Sequence, residues 1–228
     1  MTTSQLPALS ISRVDRGKTL RELTLEHMRD VIQNGQIKPG ERLIERHLCE
    51  QLDVSRSVVR EVLRHLETEG IVQSIPGQGP IVATLSSGQA AQIYEIRALL
   101  EGKAAFDCAQ RASDEDIEQL ANQNIRIQEA FEEGNLREVM LRTSIFYETM
   151  FKSTGSDIAW ETVHSLNARV NLLRFITISN PGRKVEAGAE MENLVAALRK
   201  RDPEAARQAS QDHMTRVAEI ARQRLAGE

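Results

Sequence analysis

The chain of 228 residues is long enough for one large domain or two small ones. Its 40% hydrophobic and 27% charged residues give an ordinary globular balance, which excludes a wholly disordered chain. No apolar run approaches the roughly 18 residues that a membrane helix needs, so we expect no membrane partner. A net charge of −4 excludes binding to nucleic acid by a general excess of basic residues, so any such contact depends on where the charges lie.

The first segment, residues 1–16, has no charged start, apolar core or small-residue cleavage site. We therefore interpret it as a short polar arm and not as a secretion signal. The two cysteines, Cys49 and Cys108, do not have the spacing of a metal site. Cysteine usage this low argues for a reducing compartment, and we expect a cytoplasmic protein.

Residues 17–84 follow a pattern of three helices and a hairpin. Apolar residues from Leu20 to Ile32 share one broad face, and Asn34-Gly35 is a typical helix stop. Ser55 is placed to cap the third helix, which Gly70 closes. The pattern predicts second and third helices at about 45–52 and 56–69, and two short strands at 71–72 and 81–83 around a Gly/Pro loop at 76–80.

A small polar linker, residues 85–88, is followed by helical patterns alone. Acidic residues directly after Ser113 suit a first helical turn, and Asp202-Pro203 is a typical helix start. The pattern predicts six helices, at about 88–111, 113–133, 135–153, 156–179, 184–201 and 203–225.

The third helix has an apolar face and an arginine face. The apolar face contains Val58, Val59, Val62, Leu63 and Leu66, and the other contains Arg56, Arg60 and Arg64. A guanidinium matches guanine or a phosphate through two hydrogen bonds, which favours contact with DNA. The hydroxyls of Ser55 and Ser57 can reach the DNA backbone, and Arg46 on the preceding helix can hold a phosphate. The alternative is that these arginines only solvate the helix and pair with Glu61, Glu67 or Glu69.

Two stretches resemble a known family. Residues 43–82 (LIERHLCEQLDVSRSVVREVLRHLETEGIVQSIPGQGPIV) resemble the signature of GntR-family transcription regulators, and residues 94–105 (YEIRALLEGKAA) resemble the first helix of the sensor domain of the FadR-type subfamily. The resemblance implies a mainly α fold, in which a winged helix-turn-helix with a small β-hairpin wing precedes an antiparallel bundle of six to seven helices. It implies DNA contacts by Arg46, Ser55, Arg56, Ser57, Arg60 and Gly77. Members often have a basic residue where Gln78 stands, so we expect weaker wing contacts here.

The resemblance also divides the chain into a DNA-binding domain at 17–84 and a helical domain at 89–228 for effector binding and dimerisation. Many members hold a divalent metal in this helical domain with one Asp and three His. Here Thr143, Tyr147 and Met191 replace three of these ligands, and His213 alone remains. A thioether, a hydroxyl and a phenol are poor ligands for such an ion, so we expect no metal cofactor. The alternative is a site rebuilt from Glu148, Glu190 or His164.

The same residues predict an effector pocket without metal, formed by Arg97, Thr143, Tyr147, Met191 and His213. The resemblance implies that Arg97 faces a carboxylate ligand. The alternatives are a surface salt bridge from Arg97 to Glu101, and a His213 that is hydrogen-bonded inside the bundle without a ligand role.

These patterns lead to the hypothesis of a DNA-binding transcription regulator whose operator affinity depends on a small effector. We expect a homodimer that places two recognition helices on a palindromic operator. Apolar stripes of the helical domain, such as Leu166, Val170, Leu173 and Ile176, leave more than one face to bury, so we expect the dimer to be joined mainly through residues 89–228. One alternative is a small all-helical enzyme, but the sequence shows no nucleophile–base pair, paired carboxylates or phosphate loop. The other is a metal-sensing regulator.

Overall fold

The computed structural model describes residues 18–33 and 36–226, so the polar arm at 1–16 and the stop at Asn34-Gly35 lie outside the described residues. Within these ranges the chain forms ten helices and one two-stranded antiparallel sheet. Helices dominate, as the sequence predicts. No helix in the described ranges is long and apolar enough to cross a membrane.

The N-terminal unit has the predicted order of three helices and a hairpin. Its elements are α1 (Leu20–Gln33), α2 (Glu45–Leu52), α3 (Arg56–Thr68), β1 (Val72–Ile75) and β2 (Gly79–Val82). Val72 pairs with Val82 and Ile75 with Gly79, so the loop is shorter than predicted. The second strand tolerates Pro80 because it is short and lies at an edge, where the Pro80 carbonyl accepts a hydrogen bond from Leu43 N at 2.9 Å.

Helix α3 is fixed at both ends. Ser55 caps its start by accepting a hydrogen bond from Val58 N at 3.4 Å, as predicted. At its end Gly70 adopts the left-handed conformation with φ +75°, which a residue with a side chain adopts only with strain. Arg29 of α1 donates to Glu69 at 2.9 Å, and Leu66 of α3 is fully buried in the core shared by the two helices. Helices α1 and α3 are therefore joined both by packing and by an ion pair.

The C-terminal unit is a bundle of seven helices. They are α4 (Ser87–Arg111), α5 (Asp114–Glu132), α6 (Leu136–Lys152), α7 (Asp157–Ser165), α8 (Asn167–Ile178), α9 (Arg183–Arg199) and α10 (Pro203–Ala226). Helix α4 begins inside the predicted linker 85–88, because Ser86 and Gln89 form a capping box.

The prediction of a single helix at 156–179 is wrong. Helices α7 and α8 meet at Leu166, whose N–H donates to Val163 O at 3.1 Å, three residues back. This tight turn interrupts the α-helical ladder and separates α8 from α7. Helix α8 is thus a separate element.

The bundle is organised around the two longest helices, α4 and α10. They approach closely at Gly102, where an added Cβ would lie 3.2 Å from Cγ of Gln211. Leu120, Phe146 and Leu198 are fully buried in the bundle core. This core surrounds the central cavity described below.

Two contacts join the units. Arg137 of α6 donates to Asp30 of α1 at 2.6 Å, between two exposed side chains. Arg169 of α8 lies against the end of α3, where its Nε is 3.0 Å from the position that a Cβ on Gly70 would take. Helix α8 also contacts α1.

Candidate DNA-binding surface and effector cavity

The outer face of α3 presents the predicted arginines. Val59, Val62, Leu63 and Leu66 are buried against α1 and α2 or the hairpin, and Val58 is half-buried. Arg56, Arg60 and Arg64 are all exposed. Within the described ranges Arg56 and Arg64 make no ion pair, so their guanidinium groups are available to an external anion.

Arg60 has a partner that the sequence analysis did not foresee. Its Nε donates to Oε2 of Glu45 on α2 at 2.9 Å, whereas Glu69 is engaged by Arg29. Nε of Arg46 lies 3.9 Å from Oε1 of Glu50, which is a long ion pair, and both side chains are highly exposed. Exposed ion pairs contribute little, about 0–1 kcal/mol, so a phosphate or base edge can replace these carboxylates at small cost.

The remaining predicted DNA contacts lie at the helix start and in the hairpin. The hydroxyls of Ser55 and Ser57 are exposed and 2.8 Å apart. Gly77 is exposed at the tip of the hairpin with φ +80°, and Gln78 N donates to Ile75 O at 3.0 Å. A glycine at this tip shapes the turn because it adopts positive φ without strain.

A central cavity of about 40 Å³ lies inside the bundle. All five residues of the predicted effector pocket line it: Arg97, Thr143, Tyr147, Met191 and His213. The volume accommodates about three water molecules. Residues from helices α4, α5, α6, α8, α9 and α10 meet at its wall.

Arg97 is already balanced by an acid. Its Nε donates to Oε1 of Glu101 at 2.6 Å, and both side chains are buried. The guanidinium also lies 5.6 Å from the ring centroid of Tyr147 and 5.7 Å from that of Tyr94. The expected alternative, a salt bridge from Arg97 to Glu101 at the surface, is therefore correct in its partner and wrong in its location. The pair is internal, and Arg97 has no unbalanced charge to offer a ligand.

Arg174 of α8 also lines the cavity, and it has no acid partner within the described residues. Its Nη1 donates to Ser144 Oγ at 2.9 Å and to Asn171 Oδ1 at 3.3 Å, which are both neutral groups. Burial and the nearby charge of Arg97 lower the pKa of Arg174 to about 10, so it stays protonated at neutral pH. The sequence analysis missed this residue, although an arginine between Leu173 and Phe175 was a visible signal.

A third buried arginine, Arg183 of α9, forms a cluster with Glu190 and His213. Its two Nη atoms donate to the two carboxylate oxygens of Glu190 at 2.7 and 2.6 Å. His213 Nδ1 lies 2.6 Å from Glu190 Oε2 and 3.2 Å from Arg183 Nη2. Burial raises the pKa of Glu190, but hydrogen bonds from His213 and Arg183 outweigh it and lower the pKa to about 2.

His213 is neutral at neutral pH because burial, with the charge of Arg183, lowers its pKa despite the opposing hydrogen bond to Glu190. The imidazole proton therefore lies on Nδ1 and is donated to Glu190. The structure thus agrees with the expected alternative of a histidine that is hydrogen-bonded inside the bundle, while its ring still lines the cavity.

The residues at the cavity do not fit a divalent metal. Thr143 donates its hydroxyl proton to Val139 O at 2.7 Å, and burial raises the pKa of Tyr147, so that its phenol stays neutral. Met191 offers a thioether, and the guanidinium of Arg183 stands beside His213. Across residues 18–33 and 36–226 no group of three or more His, Cys, Asp or Glu could hold a metal ion.

The three residues of the alternative metal site, Glu148, Glu190 and His164, do not lie together around His213. Glu148 faces outward and pairs with Lys152 at 2.6 Å. His164 contacts the ring of Trp160 and is not part of the cavity wall. Glu190 alone of the three is close to His213, and Arg183 occupies both of its oxygens.

Arg97 has an acid partner and Arg174 has none among the described residues, so we expect opposite effects on stability when each is replaced by methionine. Arg97→Met leaves Glu101 buried without a partner and should lower the free energy of unfolding by about 3–5 kcal/mol. Arg174→Met removes a buried charge that has no acid, so we expect an unchanged or higher melting temperature. Thermal and urea unfolding of the two variants checks this. A large destabilisation in Arg174→Met would contradict the unbalanced charge.

Comparison with known proteins agrees with this architecture. Residues 20–82 match the gntR family of bacterial regulatory proteins, and residues 92–216 match the FCD domain. The chain is 27% identical over 188 residues to the HTH-type transcriptional repressor RspR of Escherichia coli, covering 82% of each chain. It is 30% identical over 187 residues to the Nta operon transcriptional regulator of Aminobacter aminovorans, covering 81% of this chain and 88% of that protein.

A solved structure shares the fold. The E. coli McbR/YncC structure superposes with a TM-score of 0.72 and 25% identity, over 91% of this chain and 99% of that one. The two matched domains correspond to the N-terminal unit with the exposed arginines and to the bundle with the central cavity. The chain therefore belongs to the GntR family, as a DNA-binding transcription regulator with an FCD domain at its C-terminal side.

Proposed function

We propose that this regulator binds a palindromic operator in the cytoplasm as a homodimer, and that a small carboxylate in the central cavity changes its operator affinity. The observation that supports the effector most directly is the unbalanced charge of Arg174 at the cavity wall. Among the described cavity residues Arg97, Thr143 and His213 are hydrogen-bonded within the bundle, and no nucleophile stands against a base, which favours a sensor over an enzyme.

The arginine face of α3 supports the contact with DNA. Arg56, Arg60 and Arg64 are four residues apart on the exposed side of a helix, which suits insertion into the major groove. Arg46 of α2 lies on a neighbouring element and is exposed, in a position for a phosphate contact. Phosphate contacts set affinity and its salt dependence, whereas base contacts set sequence preference.

Two substitutions separate these roles. Arg60→Ala should cost about 1–3 kcal/mol of discrimination at one base pair. Arg46→Ala should weaken binding evenly across sequences and reduce the salt slope by about one unit. Fluorescence anisotropy with operator variants at several salt concentrations measures both, with Arg126→Ala on α5 as an exposed control. The assignment fails if both variants bind like the wild type.

The apolar stripe named from the sequence offers little exposed surface for a dimer interface. Leu173 is fully buried in its own bundle, and Leu166 and Ile176 are half-buried; the side chain of Val170 lies outside the described residues. Exposed apolar side chains occur instead on α4, where Leu99 is 70% exposed and Ile96, one turn away, is 41% exposed. A second copy that covers this α4 face places two recognition helices in one particle, which a two-half-site operator requires.

Substitution of Leu99 tests this interface. Leu99→Glu puts a charge into the apolar contact and should convert the full-length dimer to monomer at micromolar concentration. Val185→Glu on α9 is the matched control, because Val185 is 76% exposed and lies on another helix; this variant should remain dimeric. Sedimentation velocity distinguishes the two outcomes. A wild type that is monomeric, or a Leu99→Glu dimer, would refute the α4 interface.

The central cavity has the chemistry of a small anion site. Two of its arginines have acids, Arg97 with Glu101 and Arg183 with Glu190. Arg174 does not, so one negative charge from a ligand completes the balance. The buried hydroxyl of Tyr94 also has no hydrogen-bond partner and can donate to the ligand. The cavity volume of about 40 Å³ limits the ligand to a small carboxylate.

Acetate, with formate and propionate as size variants, is the direct probe. Under this proposal at least one of them raises the melting temperature at constant ionic strength, because binding at ten times its Kd raises the free energy of unfolding by about 1.4 kcal/mol. Acetamide, which is neutral and of similar shape, should not. Arg174→Met should abolish the shift, and elemental analysis should find no stoichiometric zinc, nickel or manganese. An unchanged shift in Arg174→Met, or one metal per chain that His213→Ala removes, would contradict the proposal.

A further inference from the structure

Helix α8 lines the central cavity and also contacts α1 and Gly70, the residue just beyond the end of the recognition helix α3. Near one end Arg169 lies against Gly70, the residue that terminates α3. Near the other end Arg174, Thr177 and Ile178 line the cavity. With 12 residues the helix is about 18 Å long at 1.5 Å per residue. It therefore joins the unbalanced charge to the DNA-binding unit through a single helix.

The position of α8 in the bundle depends on the charge of Arg174. Leu173 anchors the helix in the core, but the next residue brings a cation into the same interior without an acid and close to Arg97. The break at Leu166 separates α8 from α7, so α8 can shift as a unit. An anion at Arg174 removes the repulsion and strengthens the docking of α8, whereas the unliganded state weakens it.

The end of α3 is placed to respond to such a shift. Gly70 has a left-handed backbone, and its neighbour Glu69 holds Arg29 of α1. Because α1 and α3 share a core and this ion pair, a displacement at Gly70 moves both helices together. The arginines of α3 would move with them relative to the second half-site of a dimer. We propose that α8 transmits anion binding at Arg174 to the recognition helix, and that Arg169 is the residue through which the change passes.

The competing path is α6. It contains Thr143 and Tyr147 at the cavity and reaches α1 through Arg137 and Asp30. That ion pair is formed by exposed side chains and contributes little. Fully buried side chains such as Phe146 and Met150 also fix helix α6 in the core, so a displacement of α6 would disrupt this packing. Its Arg137 is therefore the matched control for Arg169, since both arginines join the same two units.

A double-mutant cycle on the full-length protein tests this without any effector. Arg174→Met removes the buried charge, as a bound anion would neutralise it, and its own stability measurement excludes a folding defect. Operator Kd is measured by fluorescence anisotropy for the wild type, Arg174→Met, Arg169→Ala and the double variant. We expect Arg174→Met to change the wild-type Kd by at least about fivefold. In the Arg169→Ala background the same substitution should change it by less than about twofold, because the path is interrupted.

Arg137→Ala supplies the control background, in which Arg174→Met should keep its full effect. Additive effects in the Arg169→Ala background, or no effect of Arg174→Met on operator Kd in the wild type, would overturn the proposal. Loss of coupling in the Arg137→Ala background alone would assign transmission to α6 and also overturn it.

This proposal rests on the proposed function only for the kind of ligand. Measurements with acetate distinguish the carboxylate effector from transmission through α8. If acetate raises the melting temperature of Arg169→Ala as it does that of the wild type but no longer changes its operator Kd, binding and transmission are separate and α8 is supported. If acetate leaves the wild type unchanged while the cycle still shows coupling, the carboxylate effector is refuted and transmission through α8 is retained.

Discussion

The sensor bundle encloses three arginines at one cavity, and the arrangement of acids around them determines much of its behaviour. Glu101 balances Arg97, and Glu190 balances Arg183. Among the described residues the hydrogen-bond partners of Arg174 are neutral. A buried cation without an acid costs free energy in the native state, and a protein retains such a group at low cost only if something else supplies the counter-charge. The cavity that this guanidinium faces has room for a small anion.

The same charge arrangement places protein cations at the position where a metal-binding bundle would hold its ion. In a metal-binding bundle the ion would be the positive centre for a ligand. Here Arg183 stands at the retained His213 and neutralises Glu190, and Thr143 directs its proton to its own helix. Arg174 brings a positive charge to the cavity wall, and this guanidinium stays protonated near neutral pH. The arginines of the DNA-binding unit need no buried counter-charge, because they face solvent.

Local patterns in the sequence predicted the N-terminal unit well. The capping Ser55, the bounds of α2 and the exposed arginine face of α3 follow from short-range rules of helix termination and periodicity. The five residues of the predicted effector pocket do meet at one cavity.

The errors arose where distant side chains decide the outcome. Periodicity gives no sign of the break at Leu166, since apolar residues continue on both sides of it. The i,i+4 spacing of Arg97 and Glu101 shows that they can pair, but only the packing of the other helices shows that the pair is internal. Arg174 was missed because its surroundings come from α4 and α6, far away in the chain. The stripe containing Leu173 was assigned to a dimer contact for the same reason.

A crystal structure of the full-length protein soaked in bromide tests the central claim most directly, because bromide is a small monoanion that anomalous scattering locates without ambiguity. The account predicts an anomalous peak inside the bundle, at hydrogen-bond distance from the Arg174 guanidinium, that is lost in Arg174→Met. Crystals in which bromide fills surface sites but leaves the cavity beside Arg174 empty would contradict it.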